Sequence, residues 1–305
     1  MRGCAWLALV VGCACAIEIS SHRPMLAAVI DRVELDVVAV DDRGGTVEGL
    51  RPDDFDIRDD DTSVIVNSVA EVGSADIAAP RVVVLVLDDT SIPPELTTRV
   101  QRIATLFVNR AAPGDLVNVV RLSHLTDEAV GNPAAARARI ADYRSGIVPF
   151  FGRETLENAL EQVVKLSRQF EPLEPRRRTI VAIGSPGTFD VEQPIDGRSS
   201  LLWRYWVDAV GAAARTNVNV SVIDPAGTTG RVKIMSRFGL VARTGGHALY
   251  NSGAYESIVD QIWRAAGHYY MLSYTPAASS RHDLHDVNVQ ARRKGIHIRA
   301  RTART

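Results

Sequence analysis

Cysteine is nearly absent from this sequence. It contains three cysteines, and all of them lie in the first fifteen residues, at positions 4, 13 and 15. The body of the chain therefore has no internal disulfide, no thiol nucleophile and no thiolate metal site. Its stability has to come from an apolar core.

A net charge of either sign is also missing. The formal charge is −1, so the chain lacks the overall basic field that indicates nucleic-acid binding, and no nucleic-acid partner is expected. Lysine occurs only three times, and arginine carries nearly all of the positive charge. Hydrophobic residues make up 46% of the 305 residues and charged residues 23%, which is typical of a globular protein with room for one large domain and a smaller one.

No apolar run is long enough to cross a bilayer as a helix, which takes about 20 residues. The short apolar run over residues 4–16 instead predicts an export signal, so residues 1–16 are interpreted as a signal peptide or a lipoprotein signal. Residues 14–16 fit cleavage after a small-x-small motif, whereas residues 10–13 resemble a lipobox with a lipid anchor at Cys13. A disordered leader is the third alternative. The expected localisation is exported: periplasmic, secreted or envelope-anchored.

Strand patterns occur at both ends of the body. Residues 28–75 predict an N-terminal β region, and residues 267–302 predict a C-terminal one with a hairpin turn at 293–295. Residues 31–61 contain twelve acids and four arginines, while residues 281–305 contain seven bases and two acids. This opposite charge predicts that the two flanks pair into one small β subdomain. The alternative is that both charged faces are simply solvated.

Residues 80–266 alternate apolar strands with amphipathic helices. The run Val82–Leu87 is apolar throughout, as expected of a strand that is buried on both faces. Further buried strands are predicted at residues 116–122, 179–183 and 218–223. The pattern predicts an α/β fold with a doubly wound, mostly parallel sheet of the Rossmann-like kind.

The order of these segments resembles that of a von Willebrand factor type A domain, and more narrowly that of exported bacterial VWFA-related proteins. Residues 45–55, GTVEGLRPDDF, are similar to the G-x-x-V-x-G-L-x-x-x-D-F signature of that subgroup, one residue tighter at the start. Residues 269–276, YYMLSYTP, resemble its closing strand. The resemblance covers nearly all of residues 30–302. It implies a type A domain over residues 80–266 and a non-catalytic role in protein binding or adhesion.

The resemblance also implies a metal-ion-dependent adhesion site on three loops, and each loop departs from the family pattern. The D-x-S-x-S loop is matched either by residues 88–92 or by residues 89–93, and each register supplies an acid and one hydroxyl but lacks the last serine. The threonine loop has glutamate at the threonine position and the threonine one residue later, and the third loop has serine in place of aspartate. A degenerate Mg²⁺ site would use Asp88, Asp89, Ser91, Glu154, Thr155 and Ser185.

We therefore expect no resident cofactor, with a residual Mg²⁺ site as the alternative. A second alternative is that Asp88 and Asp89 only end a strand and cap the following helix. The same edge is expected to bind a protein partner through Thr90, Ser91, Arg153, Ser185 and Trp203.

Catalysis is not expected. A hydrolase using Asp88 or Asp89 remains an alternative, but the D-x-D spacing of dehalogenase-type phosphatases is absent because the two acids are adjacent. The sequence also lacks a P-loop, a G-x-G-x-x-G motif and a G-x-S-x-G nucleophile elbow. The acidic residues 59–61 are interpreted as a solvated hairpin tip rather than a Ca²⁺ loop.

Overall fold

The computed structural model describes nine segments of the chain: residues 32–73, 80–124, 131–146, 153–171, 176–185, 201–227, 239–250, 252–276 and 284–305. At residues 153 and 154 it describes the backbone alone. The predicted leader, residues 1–16 with Cys13, lies outside these segments.

The described segments contain thirteen strands and six α-helices. The strands are β1 (Val33–Asp41), β2 (Phe55–Asp59), β3 (Thr62–Val64), β4 (Val66–Val72), β5 (Val82–Leu87), β6 (Leu116–Arg121), β7 (Arg178–Ile183), β8 (Val218–Ile223), β9 (Ala248–Leu249), β10 (Tyr269–Tyr274), β11 (His285–Ala291), β12 (Ile296–Ala300) and β13 (Ala303–Arg304). The helices are α1 (Thr97–Val108), α2 (Pro133–Ala141), α3 (Arg153–Gln169), α4 (Leu201–Arg215), α5 (Leu240–Thr244) and α6 (Tyr255–Gly267). Among the described residues, no helix combines the length and apolar character needed to cross a membrane.

A five-stranded sheet with the order β6-β5-β7-β8-β9 forms the centre of the α/β part, and every neighbouring pair is parallel. All residues of β5, β7 and β8 are buried. In chain order these strands read 2-1-3-4-5, a doubly wound arrangement whose switch point lies between β5 and β7. The predicted parallel sheet is confirmed.

Helices cover both faces of this sheet. Alternate residues of a strand point to opposite faces, so Val82, Val84 and Val86 pack into one apolar core with residues of α3, α4 and α5. Val83, Leu85 and Leu87 pack into the other core, with residues of α1, α2 and α6. Coverage on both sides explains why the β5 sequence is continuously apolar rather than alternating.

The two flanks of the chain form a pair of four-stranded sheets with the orders β12-β1-β10-β4 and β13-β11-β2-β3. The described pairings within both sheets are antiparallel. Strand β1 pairs with β10 and β12, and β2 pairs with β11, so the predicted pairing of the flanks is confirmed. Their shared core includes Leu35, Phe55, Ile57, Tyr270 and Tyr274.

Opposite charges of the two flanks meet in this sandwich. The buried Asp59 accepts from Arg304 Nε at 2.8 and 2.9 Å through its two carboxylate oxygens. Further pairs join Arg292 to Asp56 at 3.3 Å, His285 to Asp60 at 2.5 Å and His297 to Asp42 at 2.8 Å. The charge asymmetry of the sequence is therefore an interaction between strands rather than two solvated faces.

Two local expectations need correction. The tip after β2 is a turn with positive φ at Asp60 and Asp61, but Asp59 is buried by Arg304 instead of solvated. The turn over residues 293–295 does not close a hairpin, because β11 pairs with β2 and β12 pairs with β1. It carries the chain from one sheet of the sandwich to the other, with Gly295 supplying the positive φ of 76°.

Residues 31–305 form one compact unit. The internal domain boundaries, between residues 75 and 80 and between 266 and 267, stay predictions.

A buried arginine joins the parallel sheet to the sandwich. Arg177 precedes β7, and its guanidinium pairs with Asp36 of β1 and donates to the carbonyl of Gly245 at 3.0 Å. Its backbone N–H donates to the hydroxyl of Tyr269 at 3.0 Å. Burial lowers the pKa of Arg177 to about 9. Asp36 also lies 3.5 Å from Arg301, so one buried carboxylate holds two arginines.

Replacing Asp36 should destabilise the protein more than replacing Arg177. Asp36→Leu should lower the free energy of unfolding by about 3–5 kcal/mol, because the buried guanidinium groups of Arg177 and Arg301 both lose their carboxylate. Arg177→Met should cost less, because Asp36 keeps its contact with Arg301. The double variant should lose less than the sum of the two, which a double-mutant cycle in urea measures. Additive losses would show that the two side chains are not coupled.

Candidate functional site

Asp88 follows β5 at the carboxyl edge of the parallel sheet, and its side chain is completely buried. Its Oδ1 accepts hydrogen bonds from the Thr90 N–H at 3.0 Å, the Thr90 hydroxyl at 3.1 Å and the Ser91 N–H at 2.9 Å. Its Oδ2 accepts from the Ser91 hydroxyl and from the Ser185 N–H, the latter at 3.2 Å. The carboxylate therefore holds its own turn and the end of the neighbouring strand β7.

Tyr143 binds the backbone of the same turn. Its hydroxyl donates to the Asp88 carbonyl at 2.6 Å, and its ring is fully buried. Burial raises the pKa of Tyr143, and the negative charges of Asp88 and Asp89 raise it further. The phenol therefore stays protonated and acts as a permanent donor to the backbone of this edge.

Asp89 serves a different neighbour from Asp88. Its carboxylate accepts from the Ser123 N–H at 2.9 Å and the Ser123 hydroxyl at 2.5 Å, beyond the end of β6. The same hydroxyl lies 2.7 Å from Nδ1 of His124. The two adjacent acids thus each fasten β5 to one neighbouring strand, Asp88 to β7 and Asp89 to β6.

The structure brings together only part of the predicted site. Asp88, Thr90, Ser91 and Ser185 are in direct contact, as given above. Thr155 is buried in the first turn of α3, and the side chains of Arg153 and Glu154 lie outside the described residues. Trp203 lies in the first turn of α4, where it stacks on Trp206 with ring centroids 5.6 Å apart.

The helix-capping alternative for the two acids is wrong. Helix α1 begins at Thr97, and its N-cap, Leu96, makes no side-chain capping bond. The prolines do start a helical turn, since a short 3₁₀ helix runs from Pro94 to Leu96. Asp88 closes its own turn instead, because its side chain reaches the N–H groups two and three residues ahead.

Two residues at this edge were missed in the sequence. Asp224 directly follows the buried strand β8, is 3% exposed, and accepts from the Ala226 N–H at 2.8 Å. Burial raises its pKa. The rule that singled out Asp88, an acid directly after a buried strand, would also have found Asp224. No comparable signal marks Tyr143, which reaches the edge from the end of α2.

The donor set does not fit a resident divalent cation. A carboxylate offers about four lone-pair sites, and Asp88 already accepts all the bonds described above from its own chain. An ion would have to displace the Thr90 or Ser91 hydroxyl.

Within the described segments, clusters of three potential metal ligands occur elsewhere: Glu48, Glu71 and His268, and Asp59, Asp60 and His285.

Asp88 should matter more for stability than Asp89. Asp88→Ala should lower the free energy of unfolding by about 3 kcal/mol, because five hydrogen bonds from three partly buried residues lose their acceptor. Asp89→Ala should cost about 1 kcal/mol, since Ser123 is exposed and water replaces the lost bonds. Urea unfolding of both variants measures the difference, and equal losses would contradict it.

Comparisons with known proteins do not identify a family. No protein-family profile matches the sequence, and no curated protein matches it. Among solved structures, the D319A mutant of the PilB minor pilin from Streptococcus sanguinis is similar with a TM-score of 0.40 and 12% identity over 60% of this chain and 62% of that one. The PilB minor pilin from the same organism has a TM-score of 0.34 and 10% identity over 61% and 60%. The chain thus spans less than two thirds of either pilin, and these TM-scores are too low to support an inference.

Proposed function

We propose that this protein is an exported, non-catalytic protein-interaction module of the von Willebrand factor type A kind, with a degenerate metal site. Its partner, a protein of unknown identity, binds at the carboxyl edge of the parallel sheet. The observation that carries the proposal is that the Asp88 carboxylate accepts all of its described hydrogen bonds from the chain itself. An acid stands where the family places a metal ligand, but its oxygens bind Thr90, Ser91 and Ser185.

The shape of the edge supports protein binding. Doubly wound sheets bind ligands outside the carboxyl ends of their strands, near the switch point, and Asp88 and Ser185 lie on either side of that point. The partly exposed groups there are Asp89, Thr90, Ser91 and Ser185. Asp88 is buried beneath them and the Asp89 carboxylate accepts from Ser123, so small polar residues make up most of this surface.

The same contacts argue against the hydrolase alternative. A nucleophilic carboxylate has to reach substrate with a free lone pair, whereas Asp88 is fully buried and its oxygens are occupied. Asp89 is held by the N–H and the hydroxyl of Ser123. Both acids are structural in this geometry.

The proposal of export and anchoring rests only on the sequence of the leader, residues 1–16. Residues 1–16 carry the signal pattern, and Cys13 is the proposed lipid anchor if the lipobox is used. An exported protein with no cysteine in its body fits the large apolar clusters described above.

Mg²⁺ should not stabilise the domain. Adding millimolar Mg²⁺ should leave the melting temperature of the wild-type protein unchanged, because a ligand stabilises only the state it binds. Differential scanning calorimetry measures this. A rise of several degrees that is absent in Asp88→Asn would instead support the residual Mg²⁺ adhesion site.

Partner contacts should map to the carboxyl edge. A photo-crosslinking amino acid at Ser91 or Ser185 should capture one and the same envelope protein in the native organism. The matched control positions, Asn109 and Glu171, are exposed at the ends of α1 and α3, at the opposite edge of the sheet, and should not capture it.

A bulky side chain at the carboxyl edge should weaken partner binding. Ser185→Trp should reduce capture from Ser91 at least about tenfold, since overpacking a contact costs 1–3 kcal/mol, while Asn109→Trp should leave it unchanged. Capture that is equal from both edges, or that persists in Ser185→Trp, would rule out this face.

A further inference from the structure

Two carboxylates converge on one imidazole at the end of the sandwich nearest α6. Nε2 of His268 lies 3.1 Å from Oε1 of Glu71 and 3.9 Å from Oε1 of Glu48. One ligand atom from each of the three residues lies within 4.8 Å of the other two. His268 and Glu71 are largely buried, whereas Glu48 is 67% exposed in its side chain.

The backbone holds two of these groups in place. Glu71 lies directly opposite Tyr270 in the β4–β10 ladder, so it shares a face with His268, two residues earlier. Its second oxygen accepts from the Gly49 N–H at 2.9 Å. Gly73, with φ of 86°, lets β4 approach the start of β10, because a Cβ there would lie 1.8 Å from the Gly267 carbonyl oxygen.

Two carboxylates and one imidazole make up the cluster. Two nearby arginines donate to other acceptors, Arg81 to Asp115 and to the Trp263 carbonyl, and Arg264 to the carbonyls of Gly44 and Asp260. One imidazole cannot balance two carboxylates, but a divalent cation would.

We propose that Glu48, Glu71 and His268 bind a divalent transition metal of the Zn²⁺ type. Zinc binds imidazole nitrogen and carboxylate oxygen at about 2.0–2.2 Å, so neighbouring ligands in a tetrahedral site lie about 3.3–3.5 Å apart. The separations of 3.1 and 3.9 Å lie on either side of that value. Glu48 is exposed and reaches the ion by rotating its side chain. Three protein ligands leave a fourth position for water.

The chemistry of the ligands selects against Mg²⁺ and Ca²⁺, which prefer all-oxygen sites. This site is separate from the carboxyl edge of the parallel sheet and does not depend on the function proposed for that edge. The other cluster, Asp59, Asp60 and His285, is a poor metal site because Arg304 occupies both oxygens of Asp59.

A Co²⁺ titration of the untagged full chain tests the site. The three leader cysteines, at positions 4, 13 and 15, are replaced by serine so that no thiolate contributes. The wild-type body should bind a single Co²⁺ with the visible absorption of tetrahedral coordination, and Zn²⁺ should displace it. His268→Gln and Glu71→Gln should abolish the absorption, and Glu48→Gln should weaken binding at least about tenfold.

Matched variants separate ligation from folding. The side chain of Glu48 is 67% exposed and lies 3.9 Å from His268, so Glu48→Gln keeps the fold while removing a ligand. His297→Gln removes an exposed histidine that pairs with one acid, Asp42, and should leave Co²⁺ binding unchanged. Asp60→Asn should also leave it unchanged. No visible absorption in the wild type, undiminished affinity in Glu48→Gln, or loss in Asp60→Asn would overturn the proposal.

Discussion

The buried contact between Arg177 and Asp36 is the constraint on which the rest of the structure depends. It ties the entry of β7, in the middle of the parallel sheet, to β1, in the middle of an antiparallel one. Because both groups are buried, neither has water as an alternative partner, and the two sheets hold each other in one arrangement. The position of the carboxyl edge relative to the sandwich follows from this contact.

At that edge the carboxylates of Asp88 and Asp89 form hydrogen bonds within the chain. Asp88 accepts from Ser185 after β7, and Asp89 accepts from Ser123 after β6. The two adjacent carboxylates therefore connect the carboxyl ends of β5, β6 and β7. Within this edge the oxygens of both acids are engaged by groups of the chain itself. In contrast, the carboxylates at the end of the sandwich are only partly engaged, and there the charge remains available.

The sequence predicted most of the fold because burial on both faces leaves a continuously apolar strand, as in β5. Strands β7 and β8 are buried as completely although they also contain polar residues such as Thr179, Asn219 and Ser221. Flank pairing was also predictable, from opposite charges now seen in contacts such as Arg304 with Asp59. The site was only partly predictable. The sequence does not tell whether the Asp88 carboxylate faces an ion or its own turn. Tyr143 and His268 contact residues that are distant in the sequence, and such contacts produce no short motif. The change of sheet after residue 295 was missed because a tight glycine turn looks the same whether or not its strands pair.

The pairing of β1 with β12 and of β2 with β11 has a consequence for how the chain matures. Strands β1 and β2 have to pair with strands from the other end of the described body, so the sandwich cannot close until residues 285–300 have been synthesised, whereas the strands of the α/β core are all available earlier. Such distant pairing slows folding. Until then a nascent chain carries an open, acidic β1–β2 segment, and loss of residues 285–305 would remove Val287 from the core around Phe55 and Ile57.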